Sequence, residues 1–150
     1  MNVAVACDHG GFPYKETLIQ TIQSLGHSVL ELGCYSDAPV DYPEIAEAAA
    51  LAVQSSKVDR AVIICGSGVG ITFTANKFKG VRASICHDGY SAHQGVEHDD
   101  LNVLCLGARV VGIEVAKELV SAFLSATFSS QDRYHRRKEK VEEIERRMFK

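Results

Sequence analysis

The stretch Ala61-Val62-Ile63-Ile64-Cys65-Gly66-Ser67-Gly68-Val69-Gly70 decides the fold. Its first half is an unbroken apolar run of strand length, the pattern of a strand buried on both faces. Its second half carries three alternating glycines, which let bare backbone N–H groups approach an anion closely at the start of a helix. A buried strand that runs into a glycine turn and then a helix is a unit of parallel sheet.

Working outward, similar β-rich runs cover residues 3–7, 27–32, 81–86 and 103–106, making five strands with 60–65. Helical patterns alternate with them. The first runs from about Pro13 to Leu25, with proline in its first turn and Gly26 just past its end. Pro43 opens a second through Ala52, a third starts in the glycine-rich stretch, a fourth near Tyr90 and a fifth after Gly112. A sixth, from Arg133 to about residue 149, carries only a narrow apolar stripe of Val141, Ile144 and Met148. That stripe either meets a neighbouring subunit or belongs to a solvated terminal helix. The expected fold is α/β: one domain over residues 1–150, with a doubly wound five-stranded parallel sheet, helices on both faces and an extra C-terminal helix. In such sheets ligands lie beyond the carboxyl ends of the strands.

Composition narrows the class. With 46% hydrophobic and 23% charged residues the chain is an ordinary globular one, which argues against disorder. Its apolar runs fall far short of the roughly 20 residues a membrane helix needs. The N-terminus lacks a basic lead-in, and Asp8 and His9 interrupt its apolar stretch, so a cytoplasmic protein is expected. Five cysteines without CxxC spacing read as thiols rather than as a disulfide framework or zinc ribbon. Residues 133–150 carry eight Lys/Arg against four Glu, whereas residues 1–132 carry eight against fifteen acids. A basic segment on an acidic body, at pI about 6.1, suits a local anion site rather than nucleic acid.

The strand tips read Cys7-Asp8-His9-Gly10-Gly11, Cys65-Gly66-Ser67-Gly68-Val69-Gly70 and Cys86-His87-Asp88. The second is not a Walker loop, because Ile71 and Thr72 follow Gly70 where a lysine is needed, and it misses GxGxxG by one position. Asp88 stands about where a ribose-binding acid would, which keeps a nucleotide-binding module as an alternative. Cys65 directly precedes the glycine turn, so its sulfur should face a helix N-terminus that favours an anion, as an acid/base or nucleophilic thiol requires. The alternative is a small buried hydrophobe, expected of Cys7, Cys86 and Cys105. His98 precedes the fifth strand and is expected to reach the same crevice as an acid/base, a task that suits imidazole. No recognisable metal-ligand spacing surrounds it. Arg133 and Arg137, four apart, share a helix face and can grip a phosphate, or else form a solvated basic face balanced by Glu139, Glu142 and Glu143.

Together these motifs, with Asp41-Tyr42-Pro43, Ala75-Asn76-Lys77, Asn102-Val103-Leu104 and Gly107-Ala108-Arg109-Val110-Val111-Gly112, resemble the type B ribose-5-phosphate isomerases over essentially the whole chain. That family also includes galactose-6-phosphate isomerases. The resemblance implies a Rossmann-like fold and interconversion of D-ribose 5-phosphate and D-ribulose 5-phosphate through an enediolate, with no metal or organic cofactor. It further implies a homodimer or homotetramer whose active sites are shared between subunits. Cys65 matches the base that moves the proton between C2 and C1, His98 the group that opens the sugar ring, and Ser67 a supporting hydroxyl. Gly66, Ser67, Gly68, Val69 and Gly70 would supply N–H donors to the enediolate. His9, Arg109, Arg133 and Arg137 match positions that bind the phosphate or neighbouring hydroxyls, the last two reaching the partner's site, while Asp8 and Tyr42 would line the sugar pocket. Asp99 stands where many members carry Asn, and an ionised carboxylate only accepts. It is expected to receive a hydroxyl, to be protonated, or to turn away and hold His98. A hexose phosphate, allose 6-phosphate or galactose 6-phosphate, is the nearest alternative substrate.

Overall fold

The structure is a computed structural model and describes residues 1–149. Its elements are β1 (Asn2–Cys7), α1 (Phe12–Ser24), β2 (Ser28–Glu31), α2 (Tyr42–Gln54), β3 (Arg60–Cys65), α3 (Val69–Ala75), β4 (Ala83–Ile85), α4 (Gly89–Asp99), β5 (Val103–Gly107), α5 (Ile113–Ser125) and α6 (Asp132–Met148). All sheet pairings are parallel, in the order β2-β1-β3-β5-β4. The chain leaves β1 toward β2 on one side and continues from β3 on the other. The switch point therefore lies between the carboxyl ends of β1 and β3, where an open sheet of this kind binds its ligand.

Side-chain alternation divides the core in two. Val3, Val5, Cys7, Val62, Ile64, Leu104 and Leu106 face α1, α4 and α5, with Phe123 fully buried among them. Ala4, Ala6, Ala61, Ile63, Cys65, Val103 and Cys105 face α2 and α3. On this second face the alanines of β1 meet Ala46, Ala49 and Ala50 of α2, and small side chains on both sides let the helix lie close to the sheet. That close approach matters for the site, because Tyr42 stands in the first turn of α2.

The five expected strands and the layered architecture are present. The main difference is β4, expected over 81–86 and found only as Ala83–Ile85. At its start, the N–H groups of Asn102 and Val103 both converge on the carbonyl of Arg82. At its far end a side chain replaces the ladder: the Gly107 N–H donates to Nε2 of His87 at 2.9 Å. The sixth helix forms as expected but buries only Tyr134, and Val141, Ile144 and Met148 remain at least half exposed on the single chain.

Helix α4 is capped at its N-terminus by Asp88, whose carboxylate accepts from the Ser91 N–H at 2.7 Å. That bond holds the Asp88 carboxyl below the ordinary value of 3.8. A carboxylate with a depressed folded pKa stabilises above its unfolded value and loses that contribution as pH falls through the folded one. Asp88→Ala is therefore expected to lower the urea midpoint at neutral pH. The gap to wild type should close as the acid is titrated through the Asp88 pKa, which a series of unfolding curves from pH 7 downward checks.

Candidate active site

Two strand tips meet at the switch point. The position a Cβ on Gly10 would take lies 3.0 Å from the Gly66 backbone nitrogen, so the turn after β1 and the glycine loop after β3 are in contact. Asp8 is buried, and its Oδ1 accepts from the Gly11 N–H at 3.0 Å, which pins the first tip. His9 is exposed beside it, and its Nδ1 accepts from the Val40 N–H at 3.3 Å. Because a backbone N–H can only donate, the neutral ring carries its proton on Nε2.

The glycine loop wraps the sulfur of Cys65. Gly68 adopts φ of +86°, a left-handed conformation that side chains disfavour, and this turns its N–H onto Cys65 Sγ at 2.9 Å. Cys65, only 6% exposed just before α3, is thus a nearly buried thiol with one backbone donor. The other thiols differ. Burial pushes Cys7 and Cys105 up to about 12 and raises Cys86. Cys7 and Cys34 lie 3.6 Å apart, sulfur to sulfur, and all five cysteines are free.

Around this thiol the chain assembles a cradle. Ser67 is exposed, its Oγ accepting from the Val69 N–H at 3.3 Å. The Arg109 N–H donates to the Gly66 carbonyl at 3.0 Å, and its guanidinium lies 3.4 Å from where a Gly66 Cβ would be. The Tyr42 ring covers Gly70 so closely that a Cβ there would stand 2.6 Å from Cε2, and Phe73 meets the ring edge-on at 6.4 Å. Asp8, His9, Tyr42, Cys65, the loop from Gly66 to Gly70 and Arg109 thus gather at one end of the sheet.

His98 does not join them within one chain. A helix that follows a parallel strand must carry the chain back to the amino edge of the sheet before the next strand begins. The last turn of α4 therefore places His98 at the edge opposite Cys65. There its ring stacks on Tyr134 at 4.2 Å and 11°. The guanidinium carbons of Arg133 and Arg137 stand 4.7 and 5.9 Å from the same ring. Asp99 is exposed beside them, and its Oδ2 accepts from Gln94 Nε2 at 3.2 Å rather than holding His98. Tyr134, 6% exposed, is the residue that organises this second cluster. No motif marks it, although its place between the two arginines puts it on the same helix turn. Lys138 and Arg82 pair with Asp100 at 2.6 and 2.8 Å and tie α6 to the end of α4. Among the described residues no group of three His, Cys, Asp or Glu side chains is disposed to hold a metal ion, and no helix is long and apolar enough to cross a membrane.

A doubly wound α/β domain with a thiol held by a backbone N–H at the switch point, and cationic groups for an anion, defines an enzyme of acid/base chemistry on small anionic substrates. Comparison with known proteins makes the assignment specific. The family model "Ribose/Galactose Isomerase" matches residues 3–141, and the chain belongs to that family. It is an isomerase. It is 43% identical to ribose-5-phosphate isomerase B of Escherichia coli over 97% of both chains. It is 40% identical to D-erythrulose-4-phosphate isomerase 2 of Mycolicibacterium smegmatis, covering 87% of this chain and 88% of the relative. The solved structure of Clostridium thermocellum ribose-5-phosphate isomerase B superposes with a TM-score of 0.94 at 38% identity, covering 98% of this chain and 99% of that one.

The cradle depends on one tight backbone contact. A Cβ on Gly107 would lie 2.6 Å from the Ser67 carbonyl oxygen, which is backbone and has no free rotation with which to yield, whereas Gly112 has open space. Gly107→Ala is expected to lower stability by about 1–3 kcal/mol through overpacking. Gly112→Ala, which meets no neighbour but replaces the N-cap of α5, should cost less, about 1 kcal/mol at most.

Proposed function

We propose that the chain interconverts D-ribose 5-phosphate and D-ribulose 5-phosphate. The observation that carries this reading is the Cys65 sulfur held by the Gly68 N–H at the glycine turn before α3, in a family of sugar-phosphate isomerases. Cys65, as thiolate, takes the proton from C2 of the open-chain aldose. The electrons of that C–H bond form the C1–C2 double bond of an enediolate, whose anionic oxygen receives hydrogen bonds from the loop N–H groups. Returning a proton to C1, with transfer of the O2 proton to O1, leaves the ketose. Ser67 steadies the loop through its bond from Val69. Tyr42, Asp8 and His9 line the sugar, and Arg109 meets its hydroxyls or phosphate.

The acid/base that opens the ring and the remaining phosphate ligands come from a second copy. One chain carries the thiol and cradle at the carboxyl end of the sheet, and His98, Arg133 and Arg137 around Tyr134 at the amino end. A dimer that apposes these two ends completes both sites with His98, Arg133, Arg137 and Asp99 supplied in trans. The same chemistry on a hexose phosphate is the second reading, since ring opening and proton transfer need the same groups. A cytoplasmic location accords with five free thiols.

Turnover of ribose 5-phosphate to ribulose 5-phosphate is expected to resist EDTA and to vanish in Cys65→Ala; a wild-type protein that turns over only hexose phosphates overturns the substrate. Mixing tests the shared site. Cys65→Ala and His98→Ala homomers should each be inactive, whereas co-expressed chains should recover about a quarter of wild-type activity, because random pairing leaves one intact site in each heterodimer. No recovery would place the whole site on one chain.

A further inference from the structure

His87 lies outside the groups assigned above, yet its contacts lead to the thiol. It lies two residues beyond Ile85, the last residue of β4, and precedes the cap of α4. Its half-buried ring takes the place of a ladder partner, with Nε2 accepting from the Gly107 N–H at 2.9 Å. A peptide N–H only donates, so Nε2 is bare and the ring proton sits on Nδ1. Burial pushes the imidazole below its usual 6.5, which keeps that acceptor available at neutral pH.

Gly107 is the point at which β5 touches the glycine loop. It is registered opposite Cys65 on β3. The next two residues continue the attachment, the Ala108 N–H donating to the Cys65 carbonyl at 2.8 Å and the Arg109 N–H to that of Gly66. On its other side, Gly107 packs against the Ser67 backbone, and its nitrogen lies 3.4 Å from where a Gly68 Cβ would stand. The Gly68 N–H is the one that donates to Cys65 Sγ. A single chain of contacts thus runs from His87 through Gly107 and the 67–68 backbone to the sulfur.

We propose that His87 is a positioning residue for the isomerase thiol: by holding the Gly107 amide through Nε2, it fixes the backbone that aims the Gly68 N–H at Cys65. The inference rests on the assignment of Cys65 as the base, and it deepens that assignment by naming what keeps the thiol's donor in place. His87 acts through Gly107 and does not itself move a proton of the sugar. Its effect falls on kcat rather than on KM, because the phosphate and hydroxyl contacts lie elsewhere in the cradle.

Two variants separate this role from simple packing. Gln places an amide oxygen about where Nε2 stands, whereas the Asn side chain is one carbon too short to reach Gly107. His87→Asn is expected to lower kcat about tenfold, less than the loss of a whole anion donor, because the Gly68 N–H is loosened rather than deleted. KM should change by less than about twofold, and the rate of Cys65 alkylation by iodoacetamide at pH 7, read by mass spectrometry, should fall with kcat. His87→Gln should restore both to within about threefold, as expected when a neutral acceptor is replaced. Equal losses in the two variants, or a fall in kcat with unchanged Cys65 alkylation, overturn the proposal. The alkylation arm needs no turnover, so it remains decisive if the substrate assignment fails. Imidazole nitrogen NMR of the wild-type protein gives an arm independent of any variant. A proton on His87 Nδ1 with a bare Nε2 is expected, and a proton on Nε2 at neutral pH sinks the idea.

Discussion

Strand β3 is hydrogen-bonded on both edges and covered by helices on both faces, and the site hangs from its carboxyl end. Neither its register nor its facing can be altered without breaking a ladder or inverting the core, because a one-residue slip exchanges the two faces. Cys65 is thereby committed to the α2/α3 face and to the start of α3. The glycine loop that follows is clamped between the tip of β1, at Gly10, and the end of β5, at Gly107. A thiol on a free loop would solvate itself. Here the surrounding strands choose which N–H groups it meets.

The small-residue face of the sheet extends the same constraint to the crevice beside the glycine loop. Alanines on β1 and on α2 allow the helix to settle close to the sheet, and the first turn of that helix lays the Tyr42 ring over Gly70. Close packing in the core and closure of the crevice are one event. The contrast among the thiols follows from placement as well. Burial drives Cys7, which has the Cys34 sulfur beside it, and Cys105 up to about 12; Cys65 accepts the Gly68 N–H at its sulfur.

At the opposite edge, chemistry is organised by an aromatic ring instead of a backbone turn. Tyr134 is the one residue of α6 that is buried, and His98, Arg133 and Arg137 gather around its ring. Stacking on a buried ring orients an imidazole and two guanidinium groups without spending their polar atoms on the ring, with His98 Nε2 standing 4.0 Å from Glu97 Oε2. The Lys138–Asp100–Arg82 ion pairs fasten α6 beside the end of α4 and hold the cluster together.

Much of this was legible in the residues. The apolar run before three alternating glycines marked a buried strand and an anion cradle, the alternation of strand and helix patterns marked a parallel sheet, and Cys65 stood where a helix start would meet its sulfur. The apolar pattern overstates β4, because a side chain, His87, ends its pairing and side-chain acceptors leave no periodic trace. Sequence order puts His98 in the wrong crevice for one chain, since its distance along the sequence from strand five says which element it precedes and not which edge of the sheet it occupies. The sequence by itself determined the class of fold and the glycine turn after the third strand, because these follow from local periodicity and residue chemistry, and it nominated Cys65 and His98 as acid/base groups. Only the tertiary structure decided that those groups divide between two ends of the sheet, around Cys65 and around Tyr134. The physical reason is that a parallel sheet sends each crossover helix back across its length, so the end of α4 lies at the edge opposite the start of α3, while α6, which follows α5 with no strand between them, begins at that same amino edge.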